Sequence, residues 1–164
     1  MKKLIAIISA LSFTSFSFAS DSYTIYLVRH AEKVKEVKNP PLTECGKVRA
    51  KQLATMLKQA NIEQVYSTSY NRTMATATPI ANNNKLAIKN YAPNHLAQFA
   101  QKLKQERVNT LVVGHSNTTP QLAQLISDME VAEISELEYQ MLYQIQVTGY
   151  HKELVILRQP LTCQ

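Results

Sequence analysis

Two histidines stand where apolar segments of the chain end. His30 follows residues 23–29, and His115 follows the run Thr110–Gly114. Runs of β-branched and other apolar residues are typical of buried strands, and parallel strands open their carboxyl ends on one side of a sheet. The two imidazoles are therefore expected to meet in one crevice.

Two arginines complete a candidate anion site around these histidines. Arg29 directly precedes His30, and Arg72 follows a Ser-Thr-Ser segment at the start of a predicted helix. Guanidinium groups pair phosphate oxygens in a bidentate way, and the start of a helix adds main-chain N–H donors, here near Ser116 and Asn117. The set predicts a site for a phosphate dianion, with neutral His30 as the nucleophile of phosphoryl transfer.

Each of these residues has a simpler interpretation when it is taken alone. A histidine at a strand end is more often a polar residue at a sheet edge, and an arginine after a strand is more often solvated. Lys33, His95 and His151 are expected to be solvated in this way. The coincidence of two strand-end histidines with an arginine at a helix start favours the anion site.

The segments between these residues predict the elements that hold them. Strands alternate with helices over most of the length, which is typical of an α/β domain with a mainly parallel sheet. We expect a single three-layer α/β domain, with helices on both faces of the central sheet and a C-terminal hairpin. Pro79 is expected to kink or close the second helix. The expected strands are residues 23–28, 63–66, 86–88 and 110–114, the helices cover about 43–60, 70–81, 93–103 and 120–129, and the hairpin pairs 139–147 with 153–157.

The first predicted helix has a clear start. Thr43 is expected to cap a helix that runs to about Ala60, with Val48 and Met56 on its apolar side. Gly46 lies within its first turn. Glycine is costly inside a helix, so its presence predicts that a backbone or a ligand comes close there.

The N-terminus predicts export. Residues 1–19 begin with lysines, continue with an apolar stretch and end in Ser17-Phe18-Ala19, as in a signal peptide that is cut after Ala19. A membrane anchor is the alternative, but the apolar stretch is short for a spanning helix and is diluted by serine and threonine. Residues 20–164 would then form one periplasmic or secreted domain, without a stable membrane span after cleavage.

The charge balance favours an anionic ligand and argues against nucleic acid. The chain has 18 Lys and Arg against 12 Asp and Glu, a formal net charge of +6. There is no long basic run, and few aromatic residues accompany the basic ones, so no nucleic-acid partner is predicted. Cys45 and Cys163 do not have the spacing of a metal site. In an oxidising compartment they could pair with each other or remain free or intermolecularly bonded, and these alternatives stay open.

Four blocks resemble motifs of the histidine phosphatase (phosphoglycerate mutase-like) superfamily. The Arg-His-Ala-Glu of residues 29–32 is similar to its Arg-His-Gly-Glu signature, and residues 42–50 are similar to its Leu-Thr-x-x-Gly-x-x-Gln-Ala helix start. Residues 66–77 resemble its Ser-Ser-x-x-x-Arg-Thr-x-x-Thr-Ala block, and residues 112–117 its second histidine motif. The blocks occur in the family's order. Larger members insert a helical cap between the third strand and the second histidine. Here that interval is short and holds one helix, so the chain resembles the short bacterial branch of the family, and an open crevice is expected.

The resemblance implies a phosphatase that needs neither metal nor cofactor. His30 would attack phosphorus and become a phosphohistidine, while Arg29, Arg72 and His115 would hold the phosphoryl oxygens, and water would then hydrolyse the phosphoenzyme. Because the protein is predicted to be exported, the expected partner is a phosphorylated small molecule or an envelope glycan or lipid.

The proton donor of many family members is missing from this chain. No Asp or Glu stands between Thr78 and His95, and Glu32 is the first substitute, ahead of Glu136 and Glu138. Otherwise the leaving group departs unprotonated, as from a phosphoramidate or an anhydride, or the activity is feeble. The alternatives are a weak or inactive phosphate-ligand-binding protein of the envelope and a scaffold that inherited the fold.

Overall fold

The computed structural model describes residues 22–160, and these form one α/β domain. The predicted order of strands and helices is confirmed. The elements are β1 (Ser22–Arg29), α1 (Glu44–Met56), β2 (Gln64–Ser67), α2 (Asn71–Asn84), β3 (Ile88–Asn90), α3 (Leu96–Glu106), β4 (Thr110–Gly114), α4 (Thr118–Ser127), β5 (Met141–Thr148) and β6 (His151–Arg158).

The six strands form one mixed sheet in the order β3-β2-β4-β1-β5-β6. The pairs β3–β2, β2–β4 and β4–β1 are parallel, whereas the C-terminal hairpin β5–β6 adds two antiparallel strands beside β1. In the β1–β4 register Arg29 pairs with Gly114. The two predicted histidine loops therefore leave the sheet side by side.

The helices cover both faces of the sheet, as predicted. One apolar core joins the sheet to α1 and α2 and includes Leu53, Ile80 and Val113. The other joins it to α3 and α4 and includes Phe99 and Leu122. Neighbouring residues of β4 alternate between the two cores because successive side chains of a strand point to opposite faces. The sheet is thus the central layer of the domain, and the loops that follow its parallel strands meet at one edge.

Helix α1 differs in two respects from its prediction. It ends at Met56 rather than near Ala60, and Val48 and Met56 are exposed rather than apolar contacts of the core. Its buried face includes Gly46 and Arg49. A Cβ built on Gly46 would lie 2.2 Å from the carbonyl oxygen of Glu32, so the expected close backbone contact is present. This helix packs on the loop after His30, and an apolar pattern does not report such a contact.

Helix α2 continues through Pro79 to Asn84, so the expectation that proline closes it is wrong. Proline removes one main-chain N–H from the helix ladder. Burial of Ala77, Ile80 and Ala81 around it outweighs that loss. The helix ends at Lys85, whose φ of 56° is left-handed.

Cys45, near the start of α1, is disulfide-bonded, which removes the free-thiol alternative for this residue. The other cysteine of the sequence, Cys163, lies outside the described residues, as does the predicted signal peptide of residues 1–19. Within residues 22–160, no helix is long and apolar enough to cross a membrane.

Candidate active site

The His30 imidazole is held firmly at the end of β1. Its main-chain N–H donates to the carbonyl oxygen of Gly114 at 3.0 Å, and its ring Nδ1 lies 2.8 Å from the carbonyl oxygen of Ala31. Thr76 accepts from the Ala31 N–H at 2.9 Å. Because a carbonyl oxygen only accepts, Nδ1 carries the proton and the lone pair is on Nε2. The sequence-predicted nucleophile therefore has an available nitrogen in a fixed ring.

His30 is also held in its neutral form. Burial lowers its pKa to about 3, and the positive charges of Arg29 and Arg72 act in the same direction. The hydrogen bond to the Ala31 carbonyl opposes this effect without cancelling it. A neutral imidazole at ordinary pH is what nucleophilic attack requires.

His115 lies beside His30, with the two ring centroids 5.7 Å apart. Its Nε2 is 3.0 Å from Oγ1 of Thr68, and its Nδ1 is 3.3 Å from a terminal nitrogen of Arg72. Because Arg72 can only donate, Nδ1 of His115 accepts and Nε2 donates to Thr68. Burial, together with Arg72, lowers the pKa of His115 to about 4. The second histidine is thus neutral as well, in the opposite tautomer from the first.

Arg72, in the first turn of α2, has a terminal nitrogen directed at the His115 ring. Its guanidinium lies over the Tyr70 ring at 4.6 Å, and the Tyr70 ring in turn meets the edge of His115. The Nε of Arg72 is buried without a hydrogen-bond partner among the described residues. A buried unpaired guanidinium donor is costly unless a ligand completes it. Arg72 is therefore well placed to bind an oxyanion.

Arg29 is placed differently from its predicted role. It is 2 % exposed, its ring partner is Tyr139 at 4.2 Å, and it does not line the cavity. One terminal nitrogen donates to the carbonyl oxygens of Ser135 at 3.0 Å and Glu138 at 3.1 Å. The other donates to Oε2 of Glu136 at 2.6 Å. Arg29 thus anchors the segment between α4 and β5, and only through Glu136 does it reach the cavity.

The rings and Arg72 open onto a cavity of about 560 Å³. Its size exceeds what a phosphate alone needs and falls in the range of small-molecule sites. Ser116 and Asn117 line it, as predicted, and so does Lys33. The full lining is His30, Lys33, Tyr70, Arg72, Pro93, Asn94, His115, Ser116, Asn117, Thr118 and Glu136.

Glu32, the first choice for a proton donor, is not brought into this cavity. Its carboxylate receives three hydrogen bonds from Arg49, at 2.9, 2.9 and 2.6 Å, and its side chain is 15 % exposed. This ion pair ties the loop after His30 to helix α1. The carboxyl group that lines the cavity is that of Glu136.

Glu136 reaches the site from a segment without helix or strand, residues 128–140. Its Oε1 accepts a short hydrogen bond from the Ser116 hydroxyl, and its Oε2 pairs with Arg29. The hydrogen bond from Ser116 and, less strongly, the charge of Arg29 lower the pKa of Glu136. It is therefore an ionised carboxylate. Sequence reasoning ranked it behind Glu32 because its segment has no pattern that reveals this contact.

The described residues contain no group of three or more His, Cys, Asp or Glu side chains that could hold a metal ion. The cavity offers a tetrahedral oxyanion the donors of Arg72 and of the start of α4, and it is lined by His30, whose Nε2 carries the lone pair. His115 has given its one ring proton to Thr68 and accepts from Arg72 at Nδ1, so it can act on such an anion only through Arg72. A neutral imidazole nitrogen beside guanidinium donors is a set that suits nucleophilic attack at phosphorus.

A family comparison matches the part of the chain that carries the first histidine. Residues 25–92 match the histidine phosphatase superfamily (branch 1). That segment contains His30, Arg72 and the start of α1. No curated protein shows a significant sequence match to this chain.

Solved structures show the same fold at low sequence identity. The protein histidine phosphatase SixA complexed with tungstate is 16 % identical, with a TM-score of 0.69 over 82 % of this chain and 96 % of that one. The alpha-ribazole phosphatase from Shigella flexneri is 14 % identical, with a TM-score of 0.68 over 83 % and 96 %. A mycobacterial glucosyl-3-phosphoglycerate phosphatase is 12 % identical, with a TM-score of 0.64 over 84 % and 99 %.

Proposed function

We propose that this chain is a histidine phosphatase that hydrolyses phosphorylated substrates through a phosphohistidine formed on Nε2 of His30. The match of residues 25–92 to the histidine phosphatase superfamily and the fold shared with solved phosphatases support this activity. The observation that carries the proposed mechanism is the His30 ring, whose Nδ1 is fixed on the Ala31 carbonyl while Nε2 is left for attack. Its lowered pKa keeps that nitrogen unprotonated.

In the first step Nε2 of His30 donates its lone pair to phosphorus as the bond to the leaving group breaks, and the leaving group takes the bonding electrons. Arg72 and the donors at the start of α4 stabilise the charge that develops on the phosphoryl oxygens, and His115 orients Arg72 by accepting from it at Nδ1. In the second step water attacks phosphorus, the N–P bond breaks, and inorganic phosphate is released. The electrons of the N–P bond return to Nε2, and His30 is again neutral, with its proton on Nδ1 and donated to the Ala31 carbonyl oxygen.

The chemistry of the cavity favours leaving groups that need no enzyme-bound acid. Among the described residues that line it, Glu136 is the one carboxyl group, and its lowered pKa leaves it without a proton at neutral pH. A simple alkoxide is a poor leaving group without a proton donor. We therefore propose phosphoramidates, anhydrides or aryl-type monoesters as better substrates than alkyl phosphates.

The cellular setting is a proposal that rests on the predicted signal peptide of residues 1–19. Export would bring the enzyme to the periplasm or the exterior, where phosphorylated small molecules and envelope glycans or lipids occur. Lys33 at the cavity supports an anionic substrate of this kind. Fractionation of cells that produce the full chain, with detection of the cleaved N-terminus, tests the location.

The test of the reaction is a substrate panel with a matched pair of histidine variants. Wild type should hydrolyse p-nitrophenyl phosphate and phosphohistidine and acquire acid-labile phosphate, whereas His30→Ala should lose both properties. His151→Ala, on the hairpin strand β6, is the control and should behave as wild type. An alanine variant at position 30 that hydrolyses as fast as its parent would show that the nucleophile is another residue.

A phosphate-ligand-binding protein without turnover is the second candidate. The specific observation in its favour is that the cavity holds no protonated carboxyl group near the leaving group. It predicts that wild type binds inorganic phosphate or vanadate but releases no phosphate from any member of the panel. Turnover of any substrate that depends on His30 excludes it.

A further inference from the structure

Glu136 holds two of the groups that were expected to bind substrate. Its carboxylate accepts from the Arg29 guanidinium at 2.6 Å and from the Ser116 hydroxyl. It lies in the same cavity wall as His30, Arg72 and His115. The Glu136 carboxylate therefore lies at the edge of the site where the proposed function places the phosphoryl group of the substrate.

The Glu136 carboxylate and a bound phosphoryl group would compete for the Ser116 hydroxyl. A serine hydroxyl has one proton, and Ser116 gives it to Glu136, so Ser116 cannot donate to a phosphoryl oxygen at the same time. Two N–H groups of Arg29 are committed to the carbonyl oxygens of Ser135 and Glu138, and a third is committed to Glu136. A phosphoryl dianion next to this carboxylate would also meet like-charge repulsion.

The side chain of Glu136 can leave without a rearrangement of its loop. The main chain on either side stays fixed, because Arg29 holds the carbonyl oxygens of Ser135 and Glu138 independently of the carboxylate. The Glu136 side chain is 73 % exposed, so solvent can accept it after rotation about its own bonds. The contacts of the Glu136 carboxylate can thus break while Arg29 continues to hold the main chain of the loop.

We propose that Glu136 is a specificity-determining gate whose carboxylate occupies part of the oxyanion site and must be displaced before a phosphoryl group binds fully. This rests on the proposed function only in that both use the same oxyanion site. The gate selects against weakly bound free phosphate, and it favours substrates whose remaining groups bind elsewhere in the cavity. Product phosphate is expelled by the returning carboxylate.

The test is equilibrium binding of inorganic phosphate and of tungstate, measured by calorimetry on the mature chain. Glu136→Gln keeps the shape of the side chain but removes its charge, which weakens its hydrogen bonds with Ser116 and Arg29 and removes its repulsion of a phosphoryl dianion. It should bind phosphate about tenfold more tightly than wild type, the scale of one charge-assisted hydrogen bond in partly exposed surroundings. Glu133→Gln, an exposed carboxylate of the same segment, is the matched control and should leave affinity unchanged.

Kinetics separate the gate from a proton-transfer role. If Glu136 acts as a gate, Glu136→Gln lowers KM and the inhibition constant of phosphate. Any change in kcat is then in the same direction for substrates with good and with poor leaving groups. If Glu136 instead moved a proton, the variant would lose kcat selectively on poor leaving groups, with phosphate affinity unchanged, and the gate would be wrong. Equal or weaker phosphate binding by Glu136→Gln also overturns it.

The binding and turnover experiments test the Glu136 gate and the phosphatase mechanism separately. Tighter oxyanion binding by Glu136→Gln in a protein that turns over no substrate supports the gate and overturns the phosphatase mechanism. Turnover that depends on His30, with no effect of Glu136→Gln on binding, does the reverse. Absence of phosphate and tungstate binding in both proteins overturns the gate, because there is then no oxyanion site to occupy.

Discussion

His30 and His115 lie edge to face with ring centroids 5.7 Å apart, and they use opposite ring nitrogens to fix themselves to the protein. His30 is fixed through Nδ1 to the Ala31 carbonyl, whereas His115 is fixed through Nε2 to the Thr68 hydroxyl. The remaining nitrogen of His30, Nε2, carries the lone pair that the proposed mechanism uses for attack. The remaining nitrogen of His115, Nδ1, accepts from a terminal nitrogen of Arg72 at 3.3 Å and so orients that guanidinium.

The first prediction is that both rings are neutral, in opposite tautomers, across the ordinary pH range. A lowered pKa means that protonation occurs only in more acid solution, and the values are about 3 for His30 and about 4 for His115. Long-range ¹H–¹⁵N spectra should show His30 protonated at Nδ1 and His115 at Nε2, without titration from pH 8 to pH 5. Titration of either ring near pH 6.5 would contradict the buried, cation-flanked environment.

The second prediction concerns Thr68, which we infer to be a positioning residue for His115. Thr68→Val removes the acceptor for Nε2–H of His115, so the ring can rotate or change tautomer, and kcat/KM should fall about tenfold or more. Thr68→Ser keeps the hydroxyl and should restore most of the activity. The ¹⁵N spectrum of His115 should change in Thr68→Val alone, which a general loss of packing would not produce.

The convergence of the site was predictable from the sequence because it follows from topology. Parallel strands place their carboxyl ends at one edge, so His30 and His115 had to be neighbours once β1 and β4 were recognised as strands. Arg72 was found for the same reason, at the junction of β2 and α2. The short, continuous apolar run of β4 predicts a buried strand, and all five of its residues are buried.

The rest of the site depends on contacts that no local pattern records. Arg29 meets Glu136 across 107 positions of sequence, through a segment without periodicity. The pair of Glu32 with Arg49 places an arginine on the buried face of α1, where a hydrophobic pattern expects an apolar residue. Side-chain pairing over such distances is decided by tertiary packing, so the sequence named these carboxylates without ranking them correctly for access to the cavity.

The third prediction tests Glu32, whose carboxylate is paired with Arg49 rather than directed into the cavity. Glu32→Gln leaves the mostly buried Arg49 guanidinium without its counter-charge, and the unfolding free energy should fall by about 3 kcal/mol, the scale for breaking a buried ion pair. The ratio of kcat for good and poor leaving groups should stay as in wild type. A selective loss on poor leaving groups would instead show that Glu32 donates the proton.

The fourth prediction concerns the contact of Gly46 with the loop after the nucleophile. Gly46→Ala places a Cβ 2.2 Å from the Glu32 carbonyl oxygen, so either α1 or the loop must move. We expect a loss of about 2 kcal/mol in unfolding free energy, as for overpacking, together with reduced kcat. Gly149→Ala is the control because no atom of the residues that the structure describes lies within 4 Å of its added Cβ, and only its positive φ is strained. Denaturant midpoints and steady-state rates of both variants decide it.

The fifth prediction concerns the fork of Arg72. Within residues 22–160 its buried Nε has no hydrogen-bond partner, and a terminal nitrogen lies 3.3 Å from Nδ1 of His115, so the guanidinium offers more than one donor to a phosphoryl group. Arg72→Lys keeps the charge but replaces the planar fork by a point charge, and loss of transition-state donors should lower kcat/KM about 100-fold.

A control variant and a binding measurement separate the role of the Arg72 guanidinium fork from the role of its positive charge. Arg107→Lys, exposed at the end of α3, changes the same group outside the cavity and should leave kcat/KM as in wild type. Tungstate affinity of Arg72→Lys should fall less than kcat/KM, because ground-state binding needs the positive charge and the transition state needs the directed donors as well. Equal losses in the two quantities would mean that Arg72 binds substrate and transition state alike, and full activity of Arg72→Lys would mean that the fork has no role.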